Sequence, residues 1–543
     1  MTSATVPAQI VVAAPTVPGR PIAWLAVRQV RRGALIVTAV CAGMSALVAY
    51  QYQTTFEGSI DAAGLRSLAE NPAVRILFGQ PLALDDPGGF TVWRTGLPVL
   101  VLSSVWVMLA ATRITRGEED AGRTDLLLAG RLRVADIVLR ATAAVVLASV
   151  LIGVAVGAAL AAAGTDTTGA AVYAGAILGV TSTFATAAIF AAQVMPTRSA
   201  AVGVTVGLLG VWLAARMLAD GAQQLAWLAW TTPFGLTALA APYADNRVAP
   251  LLVLAGLAVG FAVAGLIAAG HRDVGGGLVK VATRRSPRTG LLKSIEGFAI
   301  RRSIRQTLGW AIGIAAYYLL VGALIASILE FFDSNRRFAD LASSAGFAGL
   351  DSANGFAAAL FSLLAIPTGL YAATRLAAMV ADEQARRWTP VLSGPVSRTR
   401  LACTEIAVVT TGVLALHAVA GLAIWVGAAI TGAPLTLGAA LGGALNSAPI
   451  AWLAVGTAAF AVGWLPSAVV AIGALPVAGG FLMNVVSQSV RAPEWVMKLS
   501  PFAHLGAVPN APPDRAGIAA FMVIGAIAVA VGVAGYSRRD LTT

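Results

Sequence analysis

The sequence predicts an all-α polytopic membrane protein. Twelve transmembrane helices are expected as two parallel six-helix repeats, with short amphipathic helices leading into each half and re-entrant hairpins on the outer face. Three observations predict this. The 543 residues are 58% hydrophobic and only 11% charged, with a mean hydropathy of +0.81, too little polar surface to cover a soluble fold. Apolar runs of ~20 residues recur from end to end, each long enough to cross the ~30 Å of a hydrocarbon core. Finally, a set of residues in the first half returns in the second at a nearly constant offset.

Residues 1–20, rich in Ala, Val, Thr and Pro, are expected to form a disordered tail. Their weakly apolar stretch has no basic flank before it, so it does not read as a signal peptide. Spans are expected near 33–52, 90–112, 137–163, 169–195, 199–219 and 249–269 in a first half. In the second they fall near 308–329, 356–381, 402–430, 437–463, 465–487 and 516–536. The halves then occupy 21–273 and 297–543, joined by a basic cytoplasmic linker at 274–296, and no soluble domain is left over. Cys41 and Cys403 lie in or beside spans, so no disulfide framework is implied. Three lysines against 34 arginines, with abundant Ala and Gly, hint at a GC-rich bacterial genome.

An even number of spans puts both termini on one side. With that side taken as inner, the inner segments carry 27 of the 37 basic residues and the outer ones 10. The positive-inside rule then places both termini in the cytoplasm of a bacterial plasma membrane. A pI near 10.5 would point to nucleic acid in a soluble protein. Here topology accounts for the net charge of +12, and no nucleic-acid partner is expected.

The repeat is the strongest signal. Trp227, Pro233, Phe234 and Arg247 recur as Trp495, Pro501, Phe502 and Arg515, all 268 residues later. Arg272-Asp273 after helix 6 recurs as Arg539-Asp540 after helix 12, and Pro196 recurs as Pro466. Gly89-Phe90 recurs as Gly355-Phe356, and Glu119, Arg123 and Gly130 recur as Glu383, Arg387 and Gly394. With six spans per copy, the copies share one orientation.

The spans lack what ion coupling needs, an ionisable group near the bilayer midplane. Arg94, Arg140, Arg216, Glu330, Arg375 and Glu405 all fall within about two turns of a span end, where long side chains can reach the interface. His417 is the one titratable group at depth, and a lone histidine there is more often a core residue than a proton relay. No glycine-rich segment ends in Gly-Lys-Ser or Gly-Lys-Thr, so the chain carries no phosphate-binding loop of its own. Nothing suggests a metal site or a catalytic cluster, since His271, His417 and His504 are scattered.

The loop after helix 2 carries Glu118, Glu119, Arg123, Asp125, Leu127 and Gly130. Glu119 and Arg123 are spaced i, i+4, which favours a salt-linked helix face. Leu126, Leu127 and Leu128 give the helix an apolar side, and Gly130 is placed to end it. The second copy keeps Glu383, Arg387 and Gly394 but has Thr389 for Asp125 and gains Pro390. A loop that only holds topology needs basic charge alone, whereas both copies keep Glu, Arg and Gly in register. That favours a pair of coupling helices for cytosolic subunits. Basic amphipathic stretches at Trp24–Arg32 and Phe298–Arg305 are suited to the inner headgroups. Outside, the segments with Trp227, Pro233 and Phe234, and with Trp495, Pro501 and Phe502, read as short re-entrant elements, with gating and simple plugging both open. The outer loops 53–89 and 330–355 suggest small helices without a chemical role.

This combination resembles the type-2 ABC exporter permeases over nearly the whole chain. The run Glu118-Glu119-Asp120-Ala121-Gly122-Arg123-Thr124-Asp125-Leu126-Leu127-Leu128 is its most specific part. The duplicated single-chain form is similar to the actinobacterial exporters of polyketide antibiotics and to mycobacterial multidrug-efflux permeases. The resemblance implies a permease subunit rather than an enzyme, exporting hydrophobic or amphipathic compounds (drugs, antibiotics or lipid-like molecules). It implies no cofactor on this chain, with ATP and Mg held by a partner, two copies of an ATP-binding subunit forming a homodimer. The substrate path would lie between the halves, lined by helices 1, 2, 5, 7, 8 and 11. Candidate lining residues for hydrophobic cargo in the lipid bilayer are Trp93, Trp106, Trp212, Met217, Phe361, Tyr371, Phe481 and Met483. The departure at Thr389-Pro390 puts equal coupling by the halves in doubt. Two alternatives stand beside this: a secondary drug transporter of the major-facilitator type, whose helix 2–3 loop motif is only partly echoed at Gly117–Arg123, and a membrane-embedded transferase.

Overall fold

Among the described residues, twelve helices are long and apolar enough to cross a membrane. The structure is a computed structural model that describes residues 19–56, 75, 79–130, 132–221, 223–279, 290–334, 352–489 and 493–540. Most of the expected tail, residues 57–74 and 335–351 of the outer loops and 280–289 of the linker lie outside the described residues. All regular structure among the described residues is helical, which makes the chain a polytopic membrane protein. It divides into two compact units, Met1–Arg285 and Ser286–Thr543.

In the first unit the spans are α1 (Gly19–Gln51), α2 (Pro87–Thr112), α3 (Val134–Ala162), α4 (Thr167–Val194), α5 (Arg198–Gly221) and α6 (Ala249–Gly270). The stretch Trp24–Arg32, expected as a separate helix, is instead the beginning of α1. Its reason is a shared face. Ala26, Val30, Ala34, Val37, Cys41, Ser45 and Ala49 are all buried, so one stripe at helical spacing runs through segment and span alike. At 33 residues α1 is about 50 Å long, well beyond the hydrocarbon thickness. α4 lies at the centre and packs against α2, α3 and α6. Its buried Thr181, Thr183 and Thr186 donate to Ile177, Gly179 and Ser182 carbonyls one turn back, at 2.6, 2.8 and 2.9 Å. Thus a polar helix becomes tolerable inside an apolar bundle.

In the second unit the spans begin with α7 (Ile295–Ser334), α8 (Ala353–Gln384) and α9 (Arg398–Ile430). α10 is interrupted at Ser447 and covers Leu437–Asn446 and Ala448–Trp464, and α12 is Arg515–Arg538. α11, expected as one helix over 465–487, is irregular. A 3-10 turn Pro466–Ala468, an α segment Val469–Ala474, a π turn Leu475–Gly479 and an α segment Gly480–Ser489 follow one another. Pro466 and Pro476 cannot donate to a helical ladder, so the chain shifts its hydrogen-bond register around them. α7 absorbs Phe298–Arg305 as α1 absorbs its leading stretch. α7 and α9 touch backbone to backbone: a Cβ on Gly322 would lie 2.2 Å from the Ile424 carbonyl oxygen, and one on Gly427 2.1 Å from that of Leu319. Such contact needs glycine on both helices.

Candidate functional site

Each unit carries the same construction where its second helix ends. α2 passes through a π turn, Arg113–Gly117, into the short helix Glu118–Asp120. Gly122 then takes the left-handed conformation (φ 70°) and a second short helix, Arg123–Leu128, follows. α8 runs straight to Gln384, turns with Arg386 left-handed (φ 56°), and continues as Thr389–Leu392. Gly122 N–H donates to the Glu119 carbonyl at 2.9 Å and Arg386 N–H to that of Glu383 at 2.8 Å, so the two turns are alike.

This turn overrides the i, i+4 pairing expected of Glu119 and Arg123. Because the left-handed residue breaks the helix between them, Arg123 donates to Glu118 instead, at 2.6 and 2.9 Å. That bond holds the exposed guanidinium further above the ordinary arginine value. Arg387 likewise donates to Asp382, at 2.8 Å. Glu119 is thereby left to face inward. It accepts a two-pronged pair of bonds from Arg272, both 2.6 Å, and one from Gly275 N–H at 2.6 Å. The Glu119 and Arg272 side chains are only 5% and 4% exposed. Glu383 accepts from Arg539 at 2.7 and 2.6 Å, ahead of the C-terminus. In each unit, then, the loop after the second span is tied to the arginine that follows the sixth.

The ties are braced differently. In the first unit Arg116, 1% exposed, donates to the carbonyls of Gly276 at 2.8 Å, Gly275 and Pro196, and lies 3.3 Å from both Glu119 and Asp120. Arg272 also donates to Gln193 at 2.9 Å, and Asp120 accepts from Arg198 N–H at 2.8 Å at the start of α5. In the second unit the brace comes from α7. Arg302 donates to Glu405 at 2.5 Å and to Asp382, with its guanidinium 4.3 Å from the centre of the Trp388 ring. Arg375 completes the cluster, 3.6 Å from Glu405 and bonded to Gln306 at 3.4 Å. Arg28 of α1, in contrast, is exposed and stacks on Trp24, at 5.1 Å.

Glu405 and Arg375, expected to reach the interface, are therefore buried and paired, as is Arg216 with Asp220 at 2.6 Å. A partner within one turn or on the facing helix makes burial cheaper than extension into headgroups. His417 is fully buried, its Nδ1 2.8 Å from the Val413 carbonyl, and its Nε2 has no hydrogen-bond partner among the described residues.

The left-handed turns give a paired expectation. Gly122→Ala should weaken the first loop by ~1 kcal/mol, and Arg386→Gly should tighten the second by a similar amount, since only glycine adopts φ > 0 freely. Hydrogen exchange of 118–128 should quicken in the one variant, and that of 382–392 should slow in the other.

Among the remaining loop residues, Asp125, Gly130 and Gly394 are exposed and Leu127 is half-buried. Leu126 is 78% exposed, so the apolar tip of the loop belongs to it. At the opposite end of each unit, Pro233 and Pro501 open short helices, Pro233–Ala240 and Pro501–His504. Thr232 and Ser500, which sequence reasoning passed over, hold them by donating to the Trp212 and Gly480 carbonyls at 2.9 and 2.8 Å. Phe234 packs on Phe184 and Phe502 on Phe481, while Trp227 and Trp495 are exposed. Of the candidate path residues, Phe361 and Tyr371 are packed in the second unit's core and Trp93 is buried in the first. Trp106, Trp212, Met217, Phe481 and Met483 are half-buried.

Comparison with known proteins gives two findings. Residues 292–537 match the family model for the C-terminal domain of multidrug efflux system permease Rv1217c. The chain is 27% identical over 504 residues to the multidrug efflux system permease protein Rv1217c of Mycobacterium tuberculosis, covering 89% of this chain and 87% of that one.

Proposed function

We propose that this chain is the membrane-spanning permease of an efflux system, exporting hydrophobic or amphipathic compounds with work supplied by ATP-binding-cassette subunits. The similarity to a multidrug efflux permease over most of both chains supports efflux by a permease rather than enzymatic turnover. Two ATPase copies, carrying ATP and Mg, dock at Glu118–Gly130 and Asp382–Gly394, both termini being cytoplasmic. One observation carries the coupling role: in each unit both oxygens of a carboxylate on the docking loop accept from the arginine following the last span, from two nitrogens of Arg272 in the first unit and from Nη2 of Arg539 in the second. A push on such a loop reaches two ends of the unit at once, and in the first unit the pair cannot separate without leaving buried charge. ATP binding closes the partner subunits and shifts each unit between two states, with no covalent step on this chain.

The test is recovery of ATP-binding-cassette subunits with the tagged chain from native membranes. Leu126→Asp is expected to lower recovery about tenfold, the loss of one buried leucine contact, while thermal stability stays unchanged because Leu126 is exposed. If no such subunit accompanies the unaltered chain, or if that chain alone drives uphill transport on a pH gradient, the ATPase reading falls.

A further inference from the structure

The first unit holds a small, half-open cavity at the end opposite its Glu119 loop. Its walls come from α2, α4, α5, the Pro233–Ala240 helix and residues 79–82. Most of the wall is apolar, with Trp93, Leu97, Leu100 and Phe234 among the lining side chains. Its polar side chains include Gln80, Thr237, Arg216 and Tyr173, and Thr237 is already committed to the Pro233 carbonyl at 3.2 Å. Arg216 is 6% exposed and Tyr173 fully buried, and neither Arg216 Nη1 nor Tyr173 Oη has a hydrogen-bond partner among the described residues. An orphaned buried donor is costly, and a guanidinium more so than a hydroxyl.

Arg216 is held for that position. Its Nε sits 2.6 Å from Asp220 one turn on, which leaves Nη1 as the spare donor. Gly79, with φ 95°, lies so near Nη2 that a Cβ there would be 2.1 Å away. Trp93 fixes that segment by donating to the Gly79 carbonyl at 3.2 Å. Asp220 offsets the charge of Arg216, and Arg75 is close enough to act on Asp220 as well. Asn484, 268 residues after Arg216, stands at the matching repeat offset in the second half, so the device belongs to the first unit.

We propose that this cavity is a binding site for an amphipathic molecule bearing an anionic oxygen, phosphate or carboxylate. That group bonds Arg216 Nη1 and Tyr173 Oη while its apolar part lies along Trp93, Leu97 and Phe234. The site is independent of the ATPase reading, because binding needs neither nucleotide nor transport. A membrane phospholipid and a soluble amphiphile share this chemistry, and the test separates them.

The test is calorimetric titration of hexyl phosphate into the full chain in phosphatidylcholine nanodiscs, with hexanol as the uncharged control. Saturable binding is expected for hexyl phosphate and not for hexanol. The double variant Arg216→Gln/Asp220→Asn, which removes one buried base and one buried acid together, is expected to bind at least tenfold more weakly, and Tyr173→Phe severalfold more weakly. Gly96→Ala guards against misfolding as the cause. Its new methyl would sit 3.7 Å from Tyr173 Oη without a clash, so the fold should hold while the cavity narrows and affinity drops. Loss of hexyl phosphate binding in discs containing phosphatidate assigns the site to a lipid headgroup, and retention assigns it to a soluble amphiphile. Equal binding of hexanol, no saturable binding in either disc, or affinity indifferent to the Arg216 and Tyr173 changes would overturn the proposal.

Discussion

Glu119→Ala should release the loop after the second span more than any other single change in the first unit. Arg272 would keep a side chain that is 4% exposed, with its carboxylate gone. Arg116 would lose one of two acidic neighbours at 3.3 Å. Removing one partner of a buried pair costs about 3–5 kcal/mol, chiefly because the other charge is left uncompensated. At 1.4 kcal/mol per decade that is an acceleration of about 10²- to several-thousandfold in hydrogen exchange over residues 113–128. Recovery of ATPase subunits should fall with it. Glu119→Gln, which keeps the shape and can still accept a bond, should lie between. Glu383→Ala should do less, because the Arg539 side chain is 20% exposed and water can take over part of its pairing. Unchanged exchange in Glu119→Ala would mean that the tie contributes nothing to holding the loop.

Arg302→Ala should produce the largest loss of stability in the second unit. It would leave Glu405, with a side chain 1% exposed, facing only Arg375 at 3.6 Å, and would remove the cation above Trp388. The expected cost is again about 3–5 kcal/mol, a fall of about 10 °C in the thermal midpoint of a unit this size. Arg302→Lys should not restore it, since a point charge cannot serve two carboxylates and stack on a ring at once. Arg28→Ala is the control. That arginine is exposed, and its contact with Trp24 is worth only about 0.5–1 kcal/mol. If both variants melt alike, the brace on α7 is not what stabilises the unit.

The spans were legible because hydropathy and length are local properties, and the two loops because residues recurred at a fixed offset. Glu119 and Arg272 each stood out as repeated residues, yet nothing local joins positions 153 apart, so their bond had to come from the fold. Helical spacing actively misled at Arg123: the rule assumes an unbroken helix, and Gly122 breaks it. The same position in the second loop is Arg386, a residue with no sequence signal for a left-handed turn. Arg216, Arg375 and Glu405 were hidden for another reason. Closeness to a span end suggests extension into headgroups; Arg375 and Glu405 find each other only across helices, while Arg216 pairs one turn on with Asp220 in a stretch the fold buries. The leading stretches showed their amphipathic character plainly, but their continuity with α1 and α7 depends on which face each bundle buries.

α7 is a single rod of 40 residues, about 60 Å long, with Arg302 near one end and a glycine-to-glycine contact with α9 at Gly322 further along. A rod pinned at such a point works as a lever. A tilt of ~5° swings ends ~60 Å apart by ~5 Å relative to one another, close to one helical pitch. The fulcrum tolerates no side chain on either helix, so bulk introduced at Gly322 or Gly427 would shift the pivot itself.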